Sequence, residues 1–485
     1  MHAIRILCIL WPLFSFTIAQ EVLEIWQTLH DKSALFSPSN SSRSAKFTDA
    51  KSSSASDIDL DEKTTYQTMK GFGASLTDSS AKSLSQLKSK NPTAYSTLLH
   101  ALFDPSFDAK SAGITYLRVP LGASDFSAKS YTYDDTDNDT SLSKFDIDAA
   151  PSYVFEVLND IQSISNILRV HVVPWSPPGW MKTGGKINGG KFSDKKDIHK
   201  TYANYLLKAL QGFESKGVHL GAISIQNEVL NSNPTVPSCK MTAQDEGEIA
   251  TALRPLLNSN GLSAIKIIGF EHNWGSYQYP ISLMKSYSSV FDGAAFHCYG
   301  GTVDDQEKFF QAYPKKDIYF TECTGMNGGG WWGDIQWQTE NLFIGAPEHH
   351  AQTALVWNLV SGEELPGSSS CGQNGKLNAC RAVVTMNADG TYVLNQEYYN
   401  IAHAARAVIP RDAGGPFGKR IKSTVSAHSL RVNAYATARS AASAPTRYSL
   451  HVLNTADARE YTIGFQGKQL SYSFPQGLST LSFYA

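Results

Sequence analysis

The chain has 485 residues, with 42 basic and 44 acidic side chains for a formal net charge of −2, and 42% hydrophobic against 18% charged content. These values describe a globular protein with room for one large and one smaller domain, and they exclude a disordered or fibrous chain. Near-neutral charge supplies no basic face for a polyanion, so no nucleic-acid partner is expected.

At the N-terminus Arg5 precedes an apolar run from Ile6 to Ile18, and Thr17-Ile18-Ala19 places small residues before Gln20. This predicts a signal peptide over 1–19 and a secreted protein. The run is shorter than the roughly 20 apolar residues a membrane anchor needs, so no membrane span is expected. Removing Cys8 with that segment leaves five cysteines, an odd number. Cys371 and Cys380 close a short loop and suit a disulfide in an oxidising compartment; Cys298 and Cys323 are a second possible pair. Two Asn-x-Ser/Thr sequons begin at Asn40 and Asn138, in keeping with a glycoprotein.

Val22 to Thr28 reads as a strand, Ser37 to Ser56 as an exposed Ser-rich loop, and Ile58 and Leu60 between aspartates as a half-buried strand. From Gly71 onward, short apolar runs alternate with longer amphipathic segments. The runs are 71–76, 114–121, 168–175, 220–226, 265–270, 293–298, 318–321 and 353–359. Between them, Tyr202, Tyr205, Leu206 and Leu210 make an apolar stripe at helical spacing within 200–213. Eight strand–helix units predict an α/β fold, a (β/α)8 TIM barrel. A doubly wound open sheet is the alternative, but no Gly-x-Gly-x-x-Gly follows the first run. After Pro410 alternating residues such as Tyr448, Leu450 and Val452 predict antiparallel strands. The expected division is N-terminal strands over 20–67, a barrel over 68–412, and 413–485 completing a side β-sandwich with those first strands.

Glu228 ends the fourth run and Glu322 the seventh. Carboxyls at the C-terminal ends of two barrel strands converge on one face. One can protonate a glycosidic oxygen while the other, ionised, attacks the sugar carbon. Arg118 and Tyr299 are candidates to hold the ionised carboxylate. No cofactor or metal is implied, because two carboxyls and water suffice. Plainer roles exist for several of these residues. Glu271, at the fifth strand end, is a decoy or at best a neighbour of the site. His297 suits a core histidine equally well, and Asp78 with Arg118 suits a structural ion pair. Trp331-Trp332, after three glycines, suits either a sugar platform or loop packing.

The residues at the strand ends resemble glycoside hydrolase family 30. The matching stretches are Lys-Gly-Phe-Gly-Ala-Ser-Leu-Thr-Asp-Ser-Ser (70–80), Leu-Arg-Val-Pro-Leu-Gly-Ala-Ser-Asp-Phe (117–126), Pro-Trp-Ser-Pro-Pro-Gly-Trp-Met-Lys-Thr (174–183), Ser-Ile-Gln-Asn-Glu (224–228), Phe-His-Cys-Tyr (296–299), Thr-Glu-Cys-Thr-Gly (321–325) and Val-Trp-Asn-Leu (356–359). Val229 departs from the family, which usually has proline there. The resemblance implies a barrel with a side β-sandwich and hydrolysis of β-linked sugars with retention. It assigns Glu228 as acid/base and Glu322 as nucleophile. It also implies that Asn227 bonds the sugar 2-hydroxyl and that Arg118, Asp125, Trp175, His297, Tyr299 and Trp357 line the same subsite. Within the family the phrases at 122–127, 296–301 and 319–325 most resemble secreted fungal endo-β-1,6-glucanases. The expected partner is therefore a β-glucan polysaccharide, with the protein acting as a monomer. The alternatives are a glucosylceramidase and, in another class, a carbohydrate-binding protein without turnover.

Overall fold

The computed structural model describes residues 20–40, 45–50, 55–106, 108–362, 380–412 and 414–485. The expected signal segment 1–19 and Cys371 lie outside them. Eight parallel strands close into a barrel in chain order: Gly71–Ser75, Tyr116–Leu121, Arg169–Pro174, Leu220–Ser224, Lys266–Asn273, Gly293–His297, Asp317–Glu322 and Ala351–Val356. Closure is direct, because Thr353 to Val356 pair in register with Gly71 to Ala74. A doubly wound sheet is thereby excluded.

The strands are buried on both faces, which is why their sequences read as continuous apolar runs. Tyr116, Ala222, Ile268, Ala295, Tyr319 and Leu355 fill the barrel interior as one cluster. Helices cover the outside. The predicted stripe is the inner face of Ile198–Ser215, where Tyr202, Tyr205, Leu206 and Leu210 are all buried. Helix Ala243–Ser259 starts at a capping box in which Thr242 and Asp245 satisfy each other's backbone N–H groups. That start fixes the direction of Glu246 one residue later.

Both ends of the chain build a second, ten-stranded curled sheet. Strand Glu21–Leu29 pairs antiparallel with Gly477–Tyr484, and Ile58–Thr68 pairs antiparallel with Lys419–Val425 and parallel with Arg459–Phe465. The sheet folds over its own core of Ile25, Ile58, Ile421, Val432, Leu450, Ile463 and Leu481. Its junction with the barrel is helix Gln396–Val408, where His403 lies between the hydroxyls of Thr28 and Thr480, 2.9 Å from each.

One reading changes and one gains detail. Within the Ser-rich stretch, Ser37–Pro38 and Thr48–Asp49 are short strands at the two edges of this sheet. Edge pairing uses backbone groups, so a polar side-chain pattern does not reveal it. Trp331 and Trp332, each half-buried, pack toward Ile335, Ile344, Leu453 and Leu478 at the junction with the curled sheet, in keeping with the packing role.

Candidate active site

The C-terminal ends of the barrel strands gather one dense polar cluster. Arg118, on the second strand, is fully buried. Its Nη1 donates to Glu322 Oε2 at 2.6 Å, and its Nη2 donates to Asn227 Oδ1 at 2.5 Å and Glu271 Oε2 at 3.2 Å. The guanidinium also lies 4.7 Å from the Trp175 ring and 6.0 Å from the Trp357 ring, so its position is set by aromatic faces as well as by charge. Asn227 thus has its carbonyl committed inward, leaving its amide NH2 as the donor for a ligand.

Glu322 closes the seventh strand and takes a second bond from Tyr299, whose hydroxyl lies 3.0 Å from Oε1. Tyr299 is 45% exposed, its hydroxyl turned inward on the carboxylate. Asp125, half-buried in the loop after the second strand, acts on the Tyr299 hydroxyl through its charge. Trp175 and Trp357 sit with ring centroids 5.3 Å apart and form an apolar wall with Phe126.

Glu228 adopts a left-handed backbone, φ 46°, a conformation that costs a non-glycine residue roughly 1–3 kcal/mol and gathers at functional sites. Neighbours hold it there. Its N–H donates to the Glu271 carbonyl at 2.8 Å, its own carbonyl accepts from Asn231 N–H at 2.7 Å, and Asn231 Nδ2 donates to Oε2 at 2.8 Å. Val229, where the family usually has proline, is fully buried, and its carbonyl accepts the Met241 N–H at 2.9 Å.

A carboxylate oxygen of Glu228, one of Glu322 and a ring nitrogen of His297 all lie within 4.8 Å of one another. Inverting glycosidases need about 6.5–9.5 Å between carboxyls to admit a water, whereas retaining ones hold them ~5–5.5 Å apart. The gap here is the retaining one. This trio is also the only group of three potential metal ligands among the described residues.

His297 Nδ1 lies 3.5 Å from Glu228 and 3.9 Å from Glu322, while its Nε2 lies 2.9 Å from Glu271. Burial works against a charge on this ring, but the field of Glu322 and the bonds to Glu228 and Glu271 outweigh it and push the imidazole up to about 9. Burial likewise opposes ionisation of Glu228, yet His272 and His297 hold it below the usual carboxylate range.

Glu271 is no decoy. It is fully buried and accepts from Ser224 at 2.6 Å and Thr321 at 2.8 Å in addition to Arg118 and His297. Nothing in the local sequence separates it from an ordinary strand-end glutamate; only the convergence of five strands does. Asp78 does not pair with Arg118. It accepts from Ser127 at 2.6 Å and Tyr131 at 3.1 Å, and burial pushes it up to about 6. Asn358 ties the eighth strand end to the first helix through Thr77 and Ser80.

A closed (β/α)8 barrel whose C-terminal mouth carries two carboxyls at this spacing is a glycoside hydrolase architecture. The family model described as the glycosyl hydrolase family 30 TIM-barrel domain matches residues 69–332, and the chain belongs to that family. It is 31% identical over 354 residues to an endo-1,6-beta-D-glucanase of Neurospora crassa, covering 70% of each chain. Over 170 residues it is 34% identical to a lysosomal acid glucosylceramidase of Mus musculus, covering 34% of this chain and 31% of that one. The solved structure of the endo-beta1,6-glucanase BT3312 superimposes with a TM-score of 0.81 at 25% identity, covering 95% of this chain and 99% of the other.

Proposed function

We infer that the protein is a secreted retaining hydrolase of β-1,6-glucan, acting within the chain by double displacement. The spacing of Glu228 and Glu322 carries the retaining mechanism, both lying with His297 inside 4.8 Å. The β-1,6 linkage is supported by the N. crassa relative and the BT3312 structure, which resemble this chain across most of its length. The mouse glucosylceramidase matches only a third of it.

In this mechanism Glu322 attacks the anomeric carbon while Glu228 gives its proton to the departing glycosidic oxygen. Arg118 on Oε2 and Tyr299 on Oε1 keep the nucleophile oriented toward the sugar. The glycosyl ester then neutralises Glu322, and Glu228, now ionised, takes a proton from the water that attacks from the same face. Two displacements restore the starting configuration. Asn227 meets the 2-hydroxyl, Trp175 and Trp357 offer the apolar wall for the sugar face, and Asp125 and His297 complete the subsite.

The barrel over 68–412 carries this chemistry, and 20–67 with 413–485 form the supporting sheet. Secretion is supported by the N-terminal pattern and by disulfides at Cys298–Cys323 and at Cys380, which persist in oxidising compartments. Asn138 is exposed and open to glycosylation. Mass spectrometry of protein from culture medium should find Gln20 at the start of the chain, and size-exclusion chromatography should give a monomer.

Incubation with pustulan, laminarin, xylan and glucosylceramide, followed by NMR of the newly released anomers, tests the activity. Release of β-anomeric oligosaccharides from pustulan alone is expected. Absence of products from pustulan removes the substrate assignment, and α-anomers at first release remove retention.

A further inference from the structure

The acid step needs a proton on Glu228, yet the neighbours of Glu228 hold it ionised. The fifth barrel strand contains the arrangement that resolves this. Ala294 pairs with Gly269 and Phe296 with His272, so two steps on the sixth strand match three on the fifth. The extra residue is a bulge, with Phe270 at φ 79° and Glu271 at φ 44°. Alternation along a regular strand would send Glu271 and His272 to opposite faces. The bulge brings both to the site, which is what bulges beside active sites do. A second carboxyl secures it from outside: Glu246 Oε1 accepts the Phe270 N–H at 2.9 Å.

Glu271 thereby reaches the underside of His297. The imidazole is flanked by Glu271 on Nε2 and by Glu228 on Nδ1, a carboxylate–imidazole–carboxylate line. We propose that Glu271 is a positioning residue which fixes the proton of His297 on Nε2, so that Nδ1 is the atom exchanging a proton with Glu228. This rests on Glu228 being the acid/base.

The proton balance closes. In the resting site the charged imidazole carries hydrogen on both nitrogens. Nδ1 passes one to Glu228 Oε1, leaving neutral His297 with Nε2–H on Glu271 and a neutral Glu228. Glu228 passes that proton to the glycosidic oxygen. In the second step water gives a proton to Glu228, which returns it to Nδ1. Glu271 stays ionised throughout, since Arg118, His297, Ser224 and Thr321 all donate to it. The 3.5 Å Nδ1 to Oε1 distance is of the kind that tightens in the complex with substrate. The other charged or titratable groups facing this line are Glu322, Arg118, Tyr299, His272 and His171.

Glu271→Gln preserves shape and removes the charge. It should lower kcat about 10²-fold with KM little changed, and it should move the alkaline limb of the kcat/KM profile to lower pH. The sign follows from His297: a neighbouring negative charge raises its pKa, so removing that charge makes it lose its proton sooner. Imidazole NMR on the unsubstituted enzyme needs neither substrate nor variant. His297 should keep Nε2–H at all pH and stay charged well above ~6.5, the ordinary histidine value. An alkaline limb unmoved in a folded Glu271→Gln enzyme overturns the proposal, as does a His297 titrating at or below the ordinary value. If Glu228→Gln keeps full turnover, the acid/base assignment itself falls, which is a separate outcome.

Discussion

Cys298 and Cys323 are joined by a disulfide, and each directly follows a site residue, His297 and Glu322. The bond crosses the sixth and seventh barrel strands at their catalytic ends, where Cys298 N–H also donates to the Glu322 carbonyl at 3.2 Å. It therefore links the imidazole and the proposed nucleophile by one short covalent path.

Opening this bond should cost both stability and rate. It closes a segment of sequence separation 25, which corresponds to about 3.5 kcal/mol in the chain-entropy account. The Cys298→Ala/Cys323→Ala enzyme should melt at lower temperature and turn over more slowly, read by calorimetry and pustulan hydrolysis. An unchanged melting temperature would show that the tie adds nothing.

The two carboxyls should separate by leaving group. Glu228→Gln should lose about 10²–10⁴-fold on glucan, where the departing alcohol needs a proton, and much less on an aryl β-glucoside whose phenolate leaves unaided. Glu322→Gln should lose turnover on both. Equal losses in the Glu228 variant on the two substrates would contradict its role.

Arg118 should be as important to folding as to catalysis. Its side chain is fully buried and bridges Glu271 and Glu322, so Arg118→Met leaves two carboxylates without their cation. Breaking a buried ion pair from one side typically costs ~3–5 kcal/mol. Denaturant titration should show a loss of that order, with activity abolished; wild-type stability would mean the carboxyls protonate at no cost.

Glu246 gives a pH-dependent test of the strand-five bulge. Burial pushes this carboxyl up to about 8, whereas in the unfolded chain it ionises near its ordinary value of ~4.3. The unfolded state binds fewer protons across that interval, so this group makes stability fall as pH rises from the lower value to the upper one. Glu246→Gln cannot ionise. Its melting temperature should approach or exceed that of the unsubstituted enzyme at pH 8, relative to their order at pH 4.5. Parallel pH curves for the two proteins would show that Glu246 is not held neutral.

Much of this was legible along the chain because a parallel barrel writes itself in periodic form. All eight apolar runs became barrel strands, and the stripe of Tyr202, Tyr205, Leu206 and Leu210 became a buried helix face. Glu228 and Glu322 stood out because strand ends of such a barrel meet on one side. The short strands at 37–38 and 48–49 did not, since edge pairing leaves no side-chain periodicity to read.

Glu271 marks the boundary between the two kinds of knowledge. Residue order determined the barrel, the placement of two acids at its mouth, and the pairing of N-terminal with C-terminal strands. Only the closed fold decided that one extra residue in the fifth strand would turn Glu271 under His297, and that Asp78 would meet Ser127 rather than Arg118. The reason is physical: periodicity is a local property of the backbone, whereas a buried charge finds its partners among side chains delivered by strands far apart in sequence.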